Sequence, residues 1–202
     1  VTIYNHQKTF ASNENDAQEN DLIAQIYRDS LLQCKEVPSN VRAFMSAPTL
    51  LFHKKYDNAI HILDSVYKSY APYSRDAGII AYSLASAYQG KNDSENMIKY
   101  FAISAISDVL NGARENLSLK ILAKLIFESG DIDRAYKYMK NAMEDAILCN
   151  ARINTIEASD MYLFIDKAFQ EKEKNKFITI TILLVALCFV CILLCALFIQ
   201  LK

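Results

Sequence analysis

Apolar residues recur along most of this chain at the three-and-four spacing of an α-helix, and the pattern breaks only at short polar stretches. Residues 17–37 carry Leu22, Ile23, Ile26, Leu31 and Leu32 and stop before Pro38, which predicts a leading helix with one apolar face. Later runs place Ile60, Leu63, Val66 and Tyr67 on one face, then Ile98, Phe101, Ala102 and Ala105 on a second. Tyr136, Met139, Ala142, Met143 and Ala146 share a third. Residues 152–176, with Ile153, Ile156, Leu163, Phe164 and Phe169, predict a closing helix with a charged end. From Phe177 to Leu201 the pattern vanishes, because all 25 residues lack charge. A helix of that length spans about 37 Å, enough for a hydrocarbon core of about 30 Å with some tilt. In lipid a lone segment can satisfy its backbone only as a helix, so its β-branched residues do not argue for a strand.

The middle of the chain repeats itself. Residues 54–63, 92–101 and 130–139 align with anchors at Ala59, Met97 and Ala135, which are 38 residues apart. Twelve residues before each anchor stands Ala47, Ala85 or Ala123. Small residues at both places permit close helix crossing, so each unit is predicted to be a hairpin of a helix A and a helix B. Gly90 and Gly130 fall near the ends of helices A, where a left-handed residue is often required. Asp57, Asp93 and Asp131 give each helix B an acidic start. This resembles the tetratricopeptide repeat over residues 40–150, with Tyr88 as the aromatic near the end of helix A. The departures are the period of 38 rather than 34, the missing Trp-like position and Met97 at a normally small anchor. The expected fold class is therefore all-α, a tetratricopeptide-like hairpin solenoid followed by one transmembrane helix. Its expected divisions are a linker or fragment edge at 1–16, repeats at 17–150, a closing and juxtamembrane segment at 151–176, and the membrane helix at 177–201.

Composition supports this picture. Four Gly, three Pro and no Trp leave few chain breakers, which favours long helices with short connections. A net charge of −1 with dispersed Lys and Arg gives no basic patch, so nucleic acid is not an expected partner. Cys34 and Cys149 lie far apart, and their spacing fits either two half-buried thiols or a pair in an oxidising compartment. Cys188, Cys191 and Cys195 share a face of the apolar helix, where they are either lipid-facing small residues or a seam for a homodimer. The chain begins at Val1 without a signal-like segment and stops just past the apolar run, so it reads as a processed product or a fragment.

No metal, cofactor or catalytic motif stands out. His53 and His61 lack ligand spacing, no Walker, GxSxG or GxGxxG sequence occurs, and Glu144 and Asp145 point to different sides of one helix. The expectation is a non-enzymatic protein with no cofactor. The remaining candidate is a groove lined by the A helices. Phe44, Tyr82 and Lys120 share one register position, Ser86 and Lys124 a second, and Gln89 and Glu128 lie near its end. Such a groove suits a peptide or protein ligand.

A narrower resemblance rests on residues 130–159, GDIDRAYKYMKNAMEDAILCNARINTIEAS, with YFAISAISDV at 100–109 upstream. The EDA…CNAR…TIE pattern is similar to that of Bacteroidota membrane regulators with tetratricopeptide-like repeats. The resemblance implies a periplasmic repeat domain, one helix through the inner membrane, and a cytoplasmic coiled coil and LuxR-type helix-turn-helix absent from this chain. The flanking Lys172, Lys174 and Lys176, read by the positive-inside rule, point instead to a cytoplasmic repeat domain. The resemblance is set above that count, so the leading expectation is a membrane-anchored sensor whose periplasmic repeat domain binds a peptide or protein and signals through the one membrane helix to a cytoplasmic transcription-regulating output; the alternative is a tail-anchored repeat scaffold with no output module.

Overall fold

Each hairpin of the repeat is closed by the same backbone device, built from different residues. In the computed structural model, which describes residues 14–33, 38–113, 117–148 and 152–201, the regular elements of those residues are all helices. They are α1 (Glu14–Gln33), α2 (Ser39–Phe52), α3 (Tyr56–Tyr67), α4 (Arg75–Gly90), α5 (Ser94–Leu110), α6 (Leu117–Glu128), α7 (Ile132–Leu148) and α8 (Arg152–Gln200). The three predicted hairpins are α2–α3, α4–α5 and α6–α7. All six repeat positions are buried, with Ala47, Ala85 and Ala123 on the A helices and Ala59, Met97 and Ala135 on the B helices.

The A-to-B turn is a Schellman motif in all three hairpins. The N–H groups of Lys55, Asp93 and Asp131 donate to the carbonyls of Leu50, Tyr88 and Ile126 at 2.8, 3.0 and 3.2 Å. The residue before each is left-handed, with φ of 56° at Lys54, 58° at Asn92 and 92° at Gly130. These positions keep the 38-residue period although only one holds glycine. Gly130 thus does what its sequence position suggests, but Gly90 does not. Gly90 is the last residue of α4, and a Cβ there would lie 2.2 Å from the Tyr56 ring. It is small because the α3 aromatic packs over it. The next residue in each turn begins helix B. Asp93 accepts from the Asn96 N–H at 3.1 Å and Asp131 from the Arg134 N–H at 3.0 Å, so both are true N-caps. The equivalent residue in the first hairpin is Lys55, which gives no side-chain cap. Asp57 lies inside the first turn of α3 and pairs with Lys91 instead.

The chain forms two compact units, residues 1–119 and 120–202. In the first, α4 packs on both α3 and α5, and α2 packs on α3 and α4. At the α4–α5 crossing Ser107 stands against Gly78, with no room for a Cβ there. Leu84, Ala81 and Phe101 are buried nearby in sequence, and the Ser118 hydroxyl donates to Ser104 Oγ at 2.8 Å in a buried pair. Tyr100 stacks on Tyr88 and meets Tyr67 edge-on, filling the α3–α4–α5 junction. The buried face of α5 runs through Met97, Tyr100, Phe101, Ser104, Ala105 and Ser107, so the predicted Ile98 and Ala102 sit at its margin.

Among the described residues the leading helix covers Glu14–Gln33, so it is already helical three residues ahead of the expected start, and it packs on α2. Its inward line is Ala24 and Arg28, not the larger apolar residues, and Leu22, Ile26 and Leu31 are exposed. Packed on α2, the helix buries a narrow seam, and a small residue plus a long stem fill it. The Arg28 guanidinium donates to Thr49 Oγ1 at 3.1 Å.

In the second unit α7 packs on α8. Tyr136 stacks on Phe169, with centroids 4.1 Å apart and planes 4° off parallel, and lies beside Tyr162. Ile165 is fully buried, whereas the predicted Leu163 and Phe164 are 61% and 62% exposed. Phe164 still meets Phe127 of α6 edge-on. The side chains of Ile153 and Ile156, and both Cys34 and Cys149, lie outside the described residues. The helix α8 runs through residues 176 and 177 without a break, so juxtamembrane segment and apolar segment are one element of 49 residues.

Candidate partner-binding face and membrane helix

On α2 and α4 the sequence-predicted groove residues fall as follows. Phe44 is half-buried on α2, three residues before the crossing residue Ala47. Tyr82 holds the same place on α4, half-buried, with its ring edge-on to Phe101 at 5.6 Å. Burial raises its hydroxyl above the usual phenol range. Ser86 is half-buried and donates its hydroxyl to the Tyr82 carbonyl at 3.0 Å, which leaves its oxygen lone pairs to accept from a ligand. Gln89 is exposed one turn further on.

The 38-residue register extends these rows to residues that the motif reading passed over. Val41 aligns with Ile79, Pro48 with Ser86 and Leu51 with Gln89. On α2 these side chains are half-buried, and on α4 Ile79 is exposed. The α2 and α4 rows thus offer apolar, aromatic, hydroxyl and amide groups and no charge. A surface of that kind grips an apolar or backbone-rich segment rather than a charged one.

The three α6 candidates belong to the second unit. Lys120 is half-buried, and Lys124 and Glu128 are exposed and pair with each other at 4.0 Å, one turn apart. A surface pair of this length is weakly held and can open to a partner. Among the described residues no three His, Cys, Asp or Glu side chains come together as a metal site.

Downstream, α8 is the one helix among the described residues long and apolar enough to cross a membrane. From Lys174 to Leu201 its described side chains are exposed, including Phe177, Ile182, Leu187 and Ile192. Thr179 and Thr181 return their hydroxyls to the carbonyls four residues earlier, each at 2.9 Å, so neither brings an unmade hydrogen bond into apolar surroundings. Cys188, Cys191 and Cys195 are exposed free thiols on this stretch.

Repeated helical hairpins, small residues at each crossing and a shared turn geometry define a tetratricopeptide-type protein, a class whose role is to hold other proteins. The family model described as the SusR N-terminal TPR domain matches residues 1–160, and the chain belongs to that family. Comparison with curated proteins finds no match.

Proposed function

We propose that this chain is the sensing arm of a single-pass regulator. Its repeat domain binds a peptide or protein through the uncharged α2–α4 face, and α8 carries the bound state across the bilayer to an output module that controls transcription. The role is binding rather than catalysis. In this reading the repeats lie in the periplasm of a bacterial inner-membrane protein. The observation that supports it most is the unbroken helix α8, held to the last repeat helix by Tyr136, Tyr162 and Phe169 at one end and uncharged and mostly apolar at the other. A rigid rod transmits rotation or translation; a loose tether does not.

The test fuses a reporter transcription domain after Lys202 and alters the phase of α8. One alanine inserted after Glu171 turns everything beyond it by about 100°, whereas seven return it to nearly the same phase. The proposal expects reporter output to change with one residue and to recover with seven. Output indifferent to both insertions would favour the membrane-anchored scaffold instead. Labelling of an engineered surface cysteine at Asn111 in intact cells reports the side on which the repeats lie.

A further inference from the structure

We propose that the α6–α7 turn, residues 128–133, rests in the lipid headgroup layer beside α8, so that the third hairpin stands on the bilayer surface. The inference relies on the reading that α8 crosses the membrane. It follows from three observations inside the second unit.

First, α7 lies antiparallel against α8, because Asp133 meets Lys172 at 2.6 Å and Tyr136 stacks on Phe169. A step of three residues forward on α7 is a step of three back on α8. The residues ahead of Asp133 therefore lie beside the stretch from Lys172 towards Phe177. Second, five helical steps lead from Lys172 to the first residue of the uncharged run, a rise of about 7.5 Å. The polar layer on each side of a bilayer core is about 5–8 Å thick. The turn therefore falls at headgroup depth, and no lipid-facing backbone is pushed into the core.

Third, the three carboxylates of the turn each face a cation, Glu128 the most loosely. Glu128 pairs with Lys124, Asp131 with Arg134, Asp133 with Lys172 and Glu173 with Lys176. A paired end enters the partly dehydrated headgroup layer at less cost than one with free carboxylates. Lys174 is exposed on the same stretch, with a stem long enough to carry its ammonium to a lipid phosphate. Gly130, at the tip of the turn, faces open space. The surface that this end fits is a neutral, zwitterionic lipid layer.

The test uses the full chain in phosphatidylcholine vesicles, its five cysteines replaced by alanine and one fluorophore attached at a new cysteine. Sites are Glu128→Cys, Ser129→Cys, Asp160→Cys and Leu183→Cys, all exposed positions. Lipids carrying a nitroxide on the headgroup should quench most of the emission at 128 and 129. They should leave the fluorophore at Asp160 bright, because that site lies about 25 Å from Phe177 along the helix. Lipids with an acyl-chain nitroxide should quench Leu183. If Leu183 is quenched while 128 and 129 stay as bright as Asp160, the headgroup contact is refuted and the membrane helix stands. If Leu183 is not quenched, both readings fall. Agreement between sites 128 and 129 guards against a local disturbance by either substitution.

Discussion

At Gly78 an added methyl would come within 2.6 Å of Ser107 Cβ, which forces α4 and α5 apart. Overpacking of this kind costs about 1–3 kcal/mol. Gly78→Ala should therefore lower the denaturation midpoint of the protein in detergent, and adding Ser107→Gly should restore most of the loss. An undiminished midpoint in Gly78→Ala would mean that the crossing is looser than described. Asp108 sets a second residue-scale expectation. Half-burial pushes its carboxyl up to about 6 against the opposing pull of Arg75. A raised carboxyl favours folding only while protonated. Its contribution is complete below the unfolded value near 3.8 and is lost as pH rises through about 6. Asp108→Asn should thus be more stable than the parent at about pH 7.5, by roughly 1 kcal/mol after discounting for solvent screening, and lose that advantage near pH 4. Parallel denaturation curves at the two pH values check this. At this scale the sequence revealed small residues better than their reasons. Gly90 and Gly130 look alike as turn glycines, yet one clears space for the Tyr56 ring and the other supplies a left-handed φ. Lys54 and Asn92 take that left-handed place in the other turns, and their residue types do not announce it.

Among the elements, the caps set the clearest expectation. Asp131→Ala removes the acceptor for the Arg134 N–H and should cost about 1 kcal/mol. Lys55→Asp places an acceptor at the one uncapped hairpin and should gain a similar amount, about 0.5–1 kcal/mol. Thermal unfolding of both variants tests whether the three turns are equivalent. The hairpins themselves were legible because a small pair at fixed spacing, repeated three times, has little other explanation than close crossing. The faces of the terminal helices were not. Apolar spacing on α1 pointed to Leu22, Ile26 and Leu31, but the structure turns Ala24 and Arg28 inward. On α8 it pointed to Leu163 and Phe164, but Ile165 is the buried residue. A terminal helix buries less of its surface than a central one, so several faces are near-equivalent by hydrophobicity and tertiary fit decides between them. The candidate face on α2 and α4 was half-legible. The register found Phe44, Tyr82, Ser86 and Gln89, while Val41, Pro48, Leu51 and Ile79 emerge only when the period is carried along the whole of each A helix.

On the scale of the whole molecule, one helix, α8, runs without a break from its packing against the last repeat helix, α7, into the apolar segment. The apolar run was plain in the sequence, but its charged approach, Glu171 to Lys176, fits a helix and a flexible linker equally well by composition. Helicity there comes with the helical segments on both sides, and the Lys172–Asp133 pair and the Phe169–Tyr136 stack brace it from α7. Tyr136→Ala should weaken that brace and raise local opening of α8 before it affects the apolar segment. The most direct test is residue-resolved hydrogen exchange of the chain in lipid nanodiscs. Slow exchange is expected without interruption from Tyr162 to Thr181, since the whole span lies within one helix. Fast exchange confined to residues 171–176, between two protected segments, would break that continuity and make the apolar helix a tethered element rather than an extension of the helix packed on α7.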